Sequence, residues 1–388
     1  MRFNKLYVKN FRNFNEEVFQ FSEGLNIFIG QNGQGKTNAL EALYLICKGK
    51  SFRYSENINL IQENTNEAYI KAAVTYKDLD FIIQSRILRS KKEFLLNQKK
   101  ISHNEIAKKF SCVLFSPESL SAIKEGDDLR RGLLDDLCVL LNPRFEEVIA
   151  DFRKCLKSRN KVLKSLQEEK TFEGMNVLES LNSLFVGLAT HITTERIQAL
   201  SKISGEFNNA MQYISDNKNV EISVDYQISG QKTDEKSIGN VAEIIKQRMF
   251  ELKDAEIAYG SSLVGPQKHD VTFLYNQNDS RFYCSQGQQR AMILSFKMAQ
   301  IVYHMKAFGV YPILMLDDVL SELDLNKREK LILFLKDINT QIFLTTTDLS
   351  VSKNILLEKE FENIFLNRFV DGKMSSTEKI QTELERYF

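Results

Sequence analysis

Eight consecutive residues, Gly30, Gln31, Asn32, Gly33, Gln34, Gly35, Lys36 and Thr37, fit the pattern G-x-x-x-x-G-K-[ST], which suits a loop that grips the phosphates of a nucleotide such as ATP. Each residue type has its own reason to be there. Glycines let the backbone take positive φ and approach an anion closely, so that several N–H groups and the positive end of a following helix point inward. Lys36 would place a point charge on the β- and γ-phosphates. The Thr37 hydroxyl suits Mg2+, a hard ion that keeps several waters and takes few protein ligands. A second set of residues supplies what such a loop needs. The apolar run Tyr311–Leu316 ends in Asp317 and Asp318; Asp317 would hold Mg2+, directly or through water, and Asp318 would be the acid nearest an attacking water. Between them, Ser285-Gln286-Gly287-Gln288-Gln289 precedes a helix apolar at Met292, Ile293, Phe296 and Ala299. A polar, glycine-containing helix start is a second anion-binding N-terminus, although the pattern alone fits an ordinary capped helix as well.

These side chains need a scaffold, and the periodicity provides one. Ile27, Phe28 and Ile29 read as a strand entering the loop, and Leu40, Leu43, Tyr44 and Cys47 as a helix leaving it. Lys5 to Phe21 alternates like strands at a sheet edge; Ala68–Tyr76 and Leu79–Leu88 alternate about a Lys77-Asp78 turn, which predicts a hairpin. After the short run Cys112–Phe115 the period changes at Ser116-Pro117. Asn142 and Pro143 can start a helix carrying Phe145, Ile149, Phe152, Leu156, Leu163 and Leu166 in coiled-coil-like steps, with Arg159 in one seam position. A second run from Val177 toward Phe207 would return antiparallel, with the turn near Glu168 to Asn176. Such a pair would be about 40 Å long. Strands follow at Val220–Tyr226 and Val271–Tyr275, with a helix over Val241–Ala258 between them. The expected organisation is therefore an α/β head in two halves, 1–116 and 216–388, with a helical lobe, 117–215, inserted between them.

Composition narrows the function classes. With 388 residues the chain can bury a sizeable core in two or three domains, and 52 basic against 51 acidic residues leave no global field toward nucleic acid or membrane. Any polyanion site must be a local patch. The five cysteines form no C-x-x-C pair and are odd in number, as in a reducing compartment, and read as packing residues. MRFNKLYVKNFRNF lacks the apolar core of a signal peptide and no long apolar run appears, so a soluble, cytoplasmic protein with no membrane partner is expected. His103, His191, His269 and His304 have no metal-ligand spacing.

The order of phosphate loop, Ser285 helix, acidic strand and Ser321-Glu322-Leu323-Asp324 resembles the ABC-type ATPases. The blocks LYVKNFRNF, GQNGQGKTNALEAL, FSPESLSAIKEGDDLRRGLLDD, SSLVGPQKHDV, CSQGQQRAMILSFKMA, PILMLDDVLSELD and QIFLTTTD, in this order from Leu6 to Asp348, resemble those of the RecF family of bacterial replication and repair proteins. The resemblance implies an ABC-type ATPase head of mixed sheets and helices with a short helical lobe, dimerising on ATP, binding double-stranded DNA near single-strand gaps and helping RecA load there with RecR-like and RecO-like proteins. Carried over by position, Gly30 to Thr37 would bind ATP and magnesium, with Thr37 and Asp317 on the metal. Ser285, Gly287 and Gln288 would act across a homodimer on the partner's γ-phosphate. Lys36, Asp317 and Asp318 would serve hydrolysis, and Asp324 would sit at the dimer interface.

Some positions depart from the pattern. Gln267, Lys268 and His269 stand where the family has something closer to GPHRDD, while Gly265, Pro266 and Asp270 agree. Thr345-Thr346-Thr347-Asp348 stands where many ABC ATPases place a histidine; threonine cannot shuttle a proton at neutral pH, which with aspartate at 318 implies slow hydrolysis, a timed switch rather than a pump. Candidate DNA contacts are Arg86, Arg89, Lys91 and Lys92, then Lys99 and Lys100, Lys108 and Lys109, Arg130 and Arg131, and the helix row Arg153, Lys154, Lys157, Lys161 and Lys164. Each cluster also reads as a solvated face. Two other classes share the loop: the ATPase subunit of a membrane transporter, disfavoured by the heptad-like lobe and the FRNF start, and an SMC-type DNA clamp, whose helices should be much longer.

Overall fold

Four runs, Leu25–Ile29, Cys112–Phe115, Ile313–Asp317 and Ile342–Thr346, are buried at every position, the pattern of parallel strands covered on both faces. In the computed structural model, which describes residues 1–53, 55–347, 364–370 and 373–380, they lie side by side. The six-stranded sheet runs Lys373–Ile380, Ile364–Val370, Leu25–Ile29, Ile342–Thr346, Ile313–Asp317, Cys112–Phe115, with only the first strand antiparallel to its neighbour. The register pairs Asp317 with Thr345 and Thr346 with Ile29. Gly30, Asp317 and Thr345 therefore gather at the carboxyl edge of the sheet, where open parallel sheets place their ligands.

A second sheet of six strands, all antiparallel, has the order Phe14–Gln20, Arg2–Phe11, Glu67–Tyr76, Leu79–Leu88, Lys92–Leu96, Lys99–Ile101. Lys77 and Asp78 both take positive φ, the turn that matches strand twist in a two-residue hairpin. The loop helix, Lys36–Lys48, is buried on nearly all sides because both sheets cover it, and its Leu40, Leu43, Tyr44 and Ile46 join residues of each in one core. Phenylalanines close that core: Phe21 meets Phe343 at 5.0 Å and Phe28 meets Phe369 at 5.8 Å between ring centroids. Gln341 adds a polar seam. It accepts from the Phe3 N–H at 2.7 Å and donates to the carbonyls of Phe3 and Ser22 at 2.8 and 2.6 Å, so both ends of its amide are used in the interior.

The chain forms two compact units, Met1–Leu120 with His304–Phe388, and Ser121–Tyr303. The second contains helices Asp127–Leu141, Phe145–Glu168 and Phe172–Ser215, and a four-stranded antiparallel sheet ordered Gln231–Thr233, Ile222–Ile228, Asp270–Tyr275, Asn278–Asp279. The expected boundary at 216 differs from this division. Among the described residues the small sheet pairs only within itself, and it is fastened to the long helix: Asn208 bonds both the N–H and the carbonyl of Ile222 at 2.8 Å, and Phe207 packs on Phe273 and Phe296. Residues 216–303 thus share a core with the helices.

The helix pair differs in detail from its periodicity. The second helix begins at Phe172, where Thr171 accepts from the Gly174 N–H, so Gly174 lies in the first turn rather than in a connecting loop. It runs on to Ser215, about 66 Å, while the first helix is about 36 Å long. Arg159 fills its seam position as expected and does so with a buried ion pair, donating to Glu256 at 2.6 and 3.1 Å and to Ser262 at 2.6 Å, with its guanidinium 4.9 Å from the Phe185 ring. The helix expected over Val241–Ala258 is two, Val241–Glu251 and Lys253–Tyr259, broken at Leu252.

Candidate nucleotide site

The strand Leu25–Ile29 ends at Gly30, whose backbone lies so close to Phe369 that a Cβ would come 2.6 Å from that residue's carbonyl oxygen. Five residues on, Gly35 has φ 105° and a Cβ there would sit 2.9 Å from Asn13 Nδ2 and from the Phe14 ring. Both positions require glycine, one for crowding and one for conformation as well. Gln31, Asn32 and Gly33 form the exposed crest and Gln34 descends from it. Helix Lys36–Lys48 starts with no side chain capping it, which leaves its first N–H groups facing the cradle of the loop.

Lys36 is 5% exposed, and its ammonium donates to the carbonyls of Gly30 and Gln31, both at 2.7 Å. Burial holds its pKa below the usual lysine value, and the carboxylates of Asp318 and Asp317 oppose that shift. The charge therefore closes the loop on itself. One turn into the site, the Thr37 hydroxyl donates to Asp317 Oδ1 at 2.9 Å, and the Thr345 hydroxyl donates to the same oxygen at 2.8 Å. Asp317 is 6% exposed, and burial raises its pKa against the lowering pull of the two hydroxyls. Asp318 takes φ 47°, a left-handed conformation that turns it off the strand, and its pKa is also raised by burial. Its N–H donates to Thr345 Oγ1 at 2.9 Å. The threonine at 345 thus links the two carboxylate residues.

The donor set fits magnesium. The buried Asp317 carboxylate oxygen and the half-buried Thr37 hydroxyl oxygen 2.9 Å from it, with no ammonium or guanidinium among the described residues bonded to that carboxylate, give the few protein oxygens that the ion needs beside water and phosphate. Among the described residues no group of three or more His, Cys, Asp or Glu side chains could hold a metal by itself. Histidines are accounted for otherwise: His269 is 2% exposed with Nδ1 2.8 Å from the Tyr226 hydroxyl, and burial pushes its pKa down to about 3. It is a neutral core residue, while its neighbour Lys268 is exposed. Of the cysteines, four are buried and Cys284 is partly so, all as free thiols.

Residues that the motif reading passed over flank the loop. Arg12 forks onto Glu41 with bonds of 2.8 and 2.7 Å, and Glu41 is fully buried on the loop helix. Asn38 donates to Asn13 at 2.7 Å and accepts from Arg53 at 3.0 Å. Arg12, Asn13, Asn38 and Arg53 line an open polar groove of about 1090 Å³. The signal was present in the runs FRNF and SFR, which carry the only guanidiniums close in sequence to the loop's flanks.

Ser285, Gly287 and Gln288 belong to the second unit, whereas Lys36 and Asp317 belong to the first. Their helix, Gln286–Phe308, is capped locally: Gln288 Oε1 accepts from the Ser285 N–H at 2.9 Å, and Ser285 Oγ accepts from the Gln288 N–H at 3.3 Å. Ahead of it Arg281 is bound to Asp279 and Asp270, and Phe282 and Tyr283 are 79% and 73% exposed. Asp324 caps the helix Leu325–Lys336 by accepting from the Lys327 N–H at 3.0 Å. Of the basic clusters, Arg130 is buried and spent on Asp127, Asp270 and the Val271 carbonyl, and Arg131 on Asp128 and the His269 carbonyl, so this pair is structural. Asp348 lies outside the described residues.

A parallel sheet with a glycine loop, a buried threonine–aspartate pair at its carboxyl edge and a helical unit between its strands define the nucleotide-binding head of the SMC type. The family model for the RecF/RecN/SMC N-terminal domain matches residues 2–365. An SMC head domain with an extended coiled coil from Pyrococcus furiosus has the same fold, at TM-score 0.54 and 15% identity over 99% of this chain and 97% of its own. Likeness to RecF is closer. The DNA replication and repair protein RecF of Halothermothrix orenii is 33% identical over 90% of this chain and 92% of its own length, and that of Clostridium botulinum strain Alaska E43 is 36% identical over 88% and 93%. The solved structure of the recombination mediator protein RecF-ATP in the RecFOR pathway superposes at TM-score 0.84 with 30% identity, covering 98% of this chain and 97% of that one. The chain belongs to the RecF family. Among the described residues no helix is long and apolar enough to cross a membrane.

Proposed function

We propose that this protein is an ATP-switched DNA-binding factor of replication and recombinational repair. The observation that carries the reading is the Thr37–Asp317–Thr345 group beside a lysine that closes its own loop. Gly30 to Gly35 and the uncapped helix start cradle the phosphates with backbone N–H groups, and Lys36 exchanges its two carbonyl partners for phosphate oxygens. Thr37 and Asp317 would hold magnesium, which when bound would neutralise phosphate charge. Asp318, released from the strand by its left-handed turn, accepts a proton from water at a carboxylate oxygen. Thr345 orients Asp317 through the hydrogen bond its hydroxyl donates and cannot shuttle a proton at neutral pH, so turnover is slow. Ser285, Gly287 and Gln288 meet the γ-phosphate held by a second copy, which makes ATP the bond of a homodimer on double-stranded DNA near single-strand gaps. RecR-like and RecO-like proteins are its partners, and RecA loading its outcome.

The relatives' names and the ATP of the solved neighbour support this assignment. A transporter subunit is disfavoured by the unit Ser121–Tyr303, and a long clamp by a first helix of 24 residues. The test is sedimentation with and without ATP and Mg2+, each with and without a labelled gapped duplex. An ATP-dependent dimer that retains the duplex is the expected result. Nucleotide bound to a monomer indifferent to DNA would leave the nucleotide site standing and overturn the repair function.

A further inference from the structure

From Arg153 to Gln167 the helix Phe145–Glu168 carries six cations and no carboxylate, in a protein whose charges otherwise balance. Arg159 alone turns inward, to Glu256. The other five are exposed, and Arg153, Lys157, Lys161 and Lys164 follow one another at steps of four, four and three, which places them in one row along the outer face. Lys154 beside them is bonded to Asp151 at 2.9 Å. The charged side chains of those four make no ion pair or hydrogen bond with any described residue; elsewhere the charges of Arg86, Lys91, Lys108, Arg130 and Arg131 are engaged by Glu67, Glu93, Glu105, Asp127 and Asp128. Four like charges at helical neighbour spacing repel one another, so the row is a cost to the isolated protein that an anionic partner would relieve.

We propose that this row is a rail for the phosphate backbone of duplex DNA, an assignment that rests on the DNA-binding reading above and gives it a surface. The length agrees: the row spans about 16 Å at 1.5 Å per residue, the run of about five nucleotides along one strand at 3.4 Å each. The chemistry agrees as well. Three of the four are lysines, flexible point charges that neutralise phosphates without reading bases. An anionic lipid surface would need an apolar face free to enter it, and here Phe145, Ile149, Phe152, Leu163 and Leu166 are buried in the unit.

The experiment measures binding of a labelled duplex by full-length protein, with ATP and Mg2+, between 50 and 200 mM salt. For R153Q/K157Q/K161Q/K164Q the expected result is roughly a hundredfold weaker binding at low salt, with the log–log salt slope shallower by about three to four for each copy engaged. ATP affinity and the circular-dichroism melt should match the wild type, and K157R/K161R/K164R should keep the wild-type slope. An unchanged slope in the fourfold Gln variant would overturn the rail and leave DNA binding standing. A wild-type protein that retains no duplex at any salt would overturn both. Loss of binding to phosphatidylserine vesicles with duplex binding intact would assign the row to a membrane instead.

Discussion

Two helix starts in this molecule suit an anion, and they are built in opposite ways. The loop at Gly30–Thr37 is held by tertiary structure: Phe369 and Asn13 crowd its glycines, and a buried aspartate from a neighbouring strand takes the Thr37 hydroxyl. The turn at Ser285 is held by itself, through two reciprocal bonds between residues three apart. A phosphate entering the first meets N–H groups already aimed. In the proposed dimer, a phosphate reaching the second would have to replace the Ser285–Gln288 bonds with its own, so that turn would respond only to an anion brought to it in position. A rigid receiver and a self-satisfied responder are the two parts a nucleotide-dependent switch requires.

The contrast breaks first at chemistry. Asp318→Asn keeps the loop and removes the acceptor, so nucleotide should bind as in the wild type while hydrolysis falls about a thousandfold, within the range for a positioned base; single-turnover phosphate release measures it, and rapid turnover would remove Asp318 from the role. Next is Lys36→Ala, expected to weaken ATP binding about a hundredfold, the loss of one or two charge-assisted bonds. Calorimetric titration reads it, and equal affinity would mean that the preformed backbone suffices without the lysine. Smaller again is the responder. Ser285→Ala removes a cap and should cost about 1 kcal/mol in the second unit, leaving ATP affinity of the monomer unchanged, whereas Ser285→Arg should abolish an ATP-dependent dimer in sedimentation. A dimer that persists with arginine there would place the contact elsewhere.

The same contrast decides what the sequence could reveal. The loop, the acidic strand and the Ser285 turn are local patterns, each legible because its chemistry fixes residue types at short spacing. The hairpin about Lys77-Asp78 and the buried strands are legible for a similar reason, since period and burial travel together. What the pattern could not supply is pairing across distance. Thr345 meets Asp317 only through the parallel register, and from sequence it read as a missing histidine rather than as a partner of Asp317. Arg12 and Glu41 are far apart along the chain and meet through the packing of the loop helix under the antiparallel sheet. Alternation announces a strand without saying which core it joins, and Ile222–Ile228 packs with the helices within one unit. His269, which departs from the family pattern, is buried with Nδ1 2.8 Å from the Tyr226 hydroxyl.

The finest probe of the receiver is the proton balance of Asp317. Its carboxyl is buried against two hydroxyl donors, and burial, the larger influence, raises its pKa above the ordinary carboxylate value. The folded protein therefore binds this proton more tightly than the unfolded chain does, and in the absence of nucleotide and metal its contribution to stability is present at acid pH and is lost as pH rises through the folded pKa. Asp317→Asn keeps an oxygen for Thr37 and Thr345 and removes the charge. The nucleotide-free variant should melt a few degrees at most above the wild type at pH 7, with the gap closing as pH falls below the ordinary carboxylate range. Addition of ATP and Mg2+ should reverse the order, because ligand binding stabilises only the chain that holds both. A gap of constant size across pH would mean that the carboxylate is solvated in the folded state, and that the receiver is less closed than its hydrogen bonds make it.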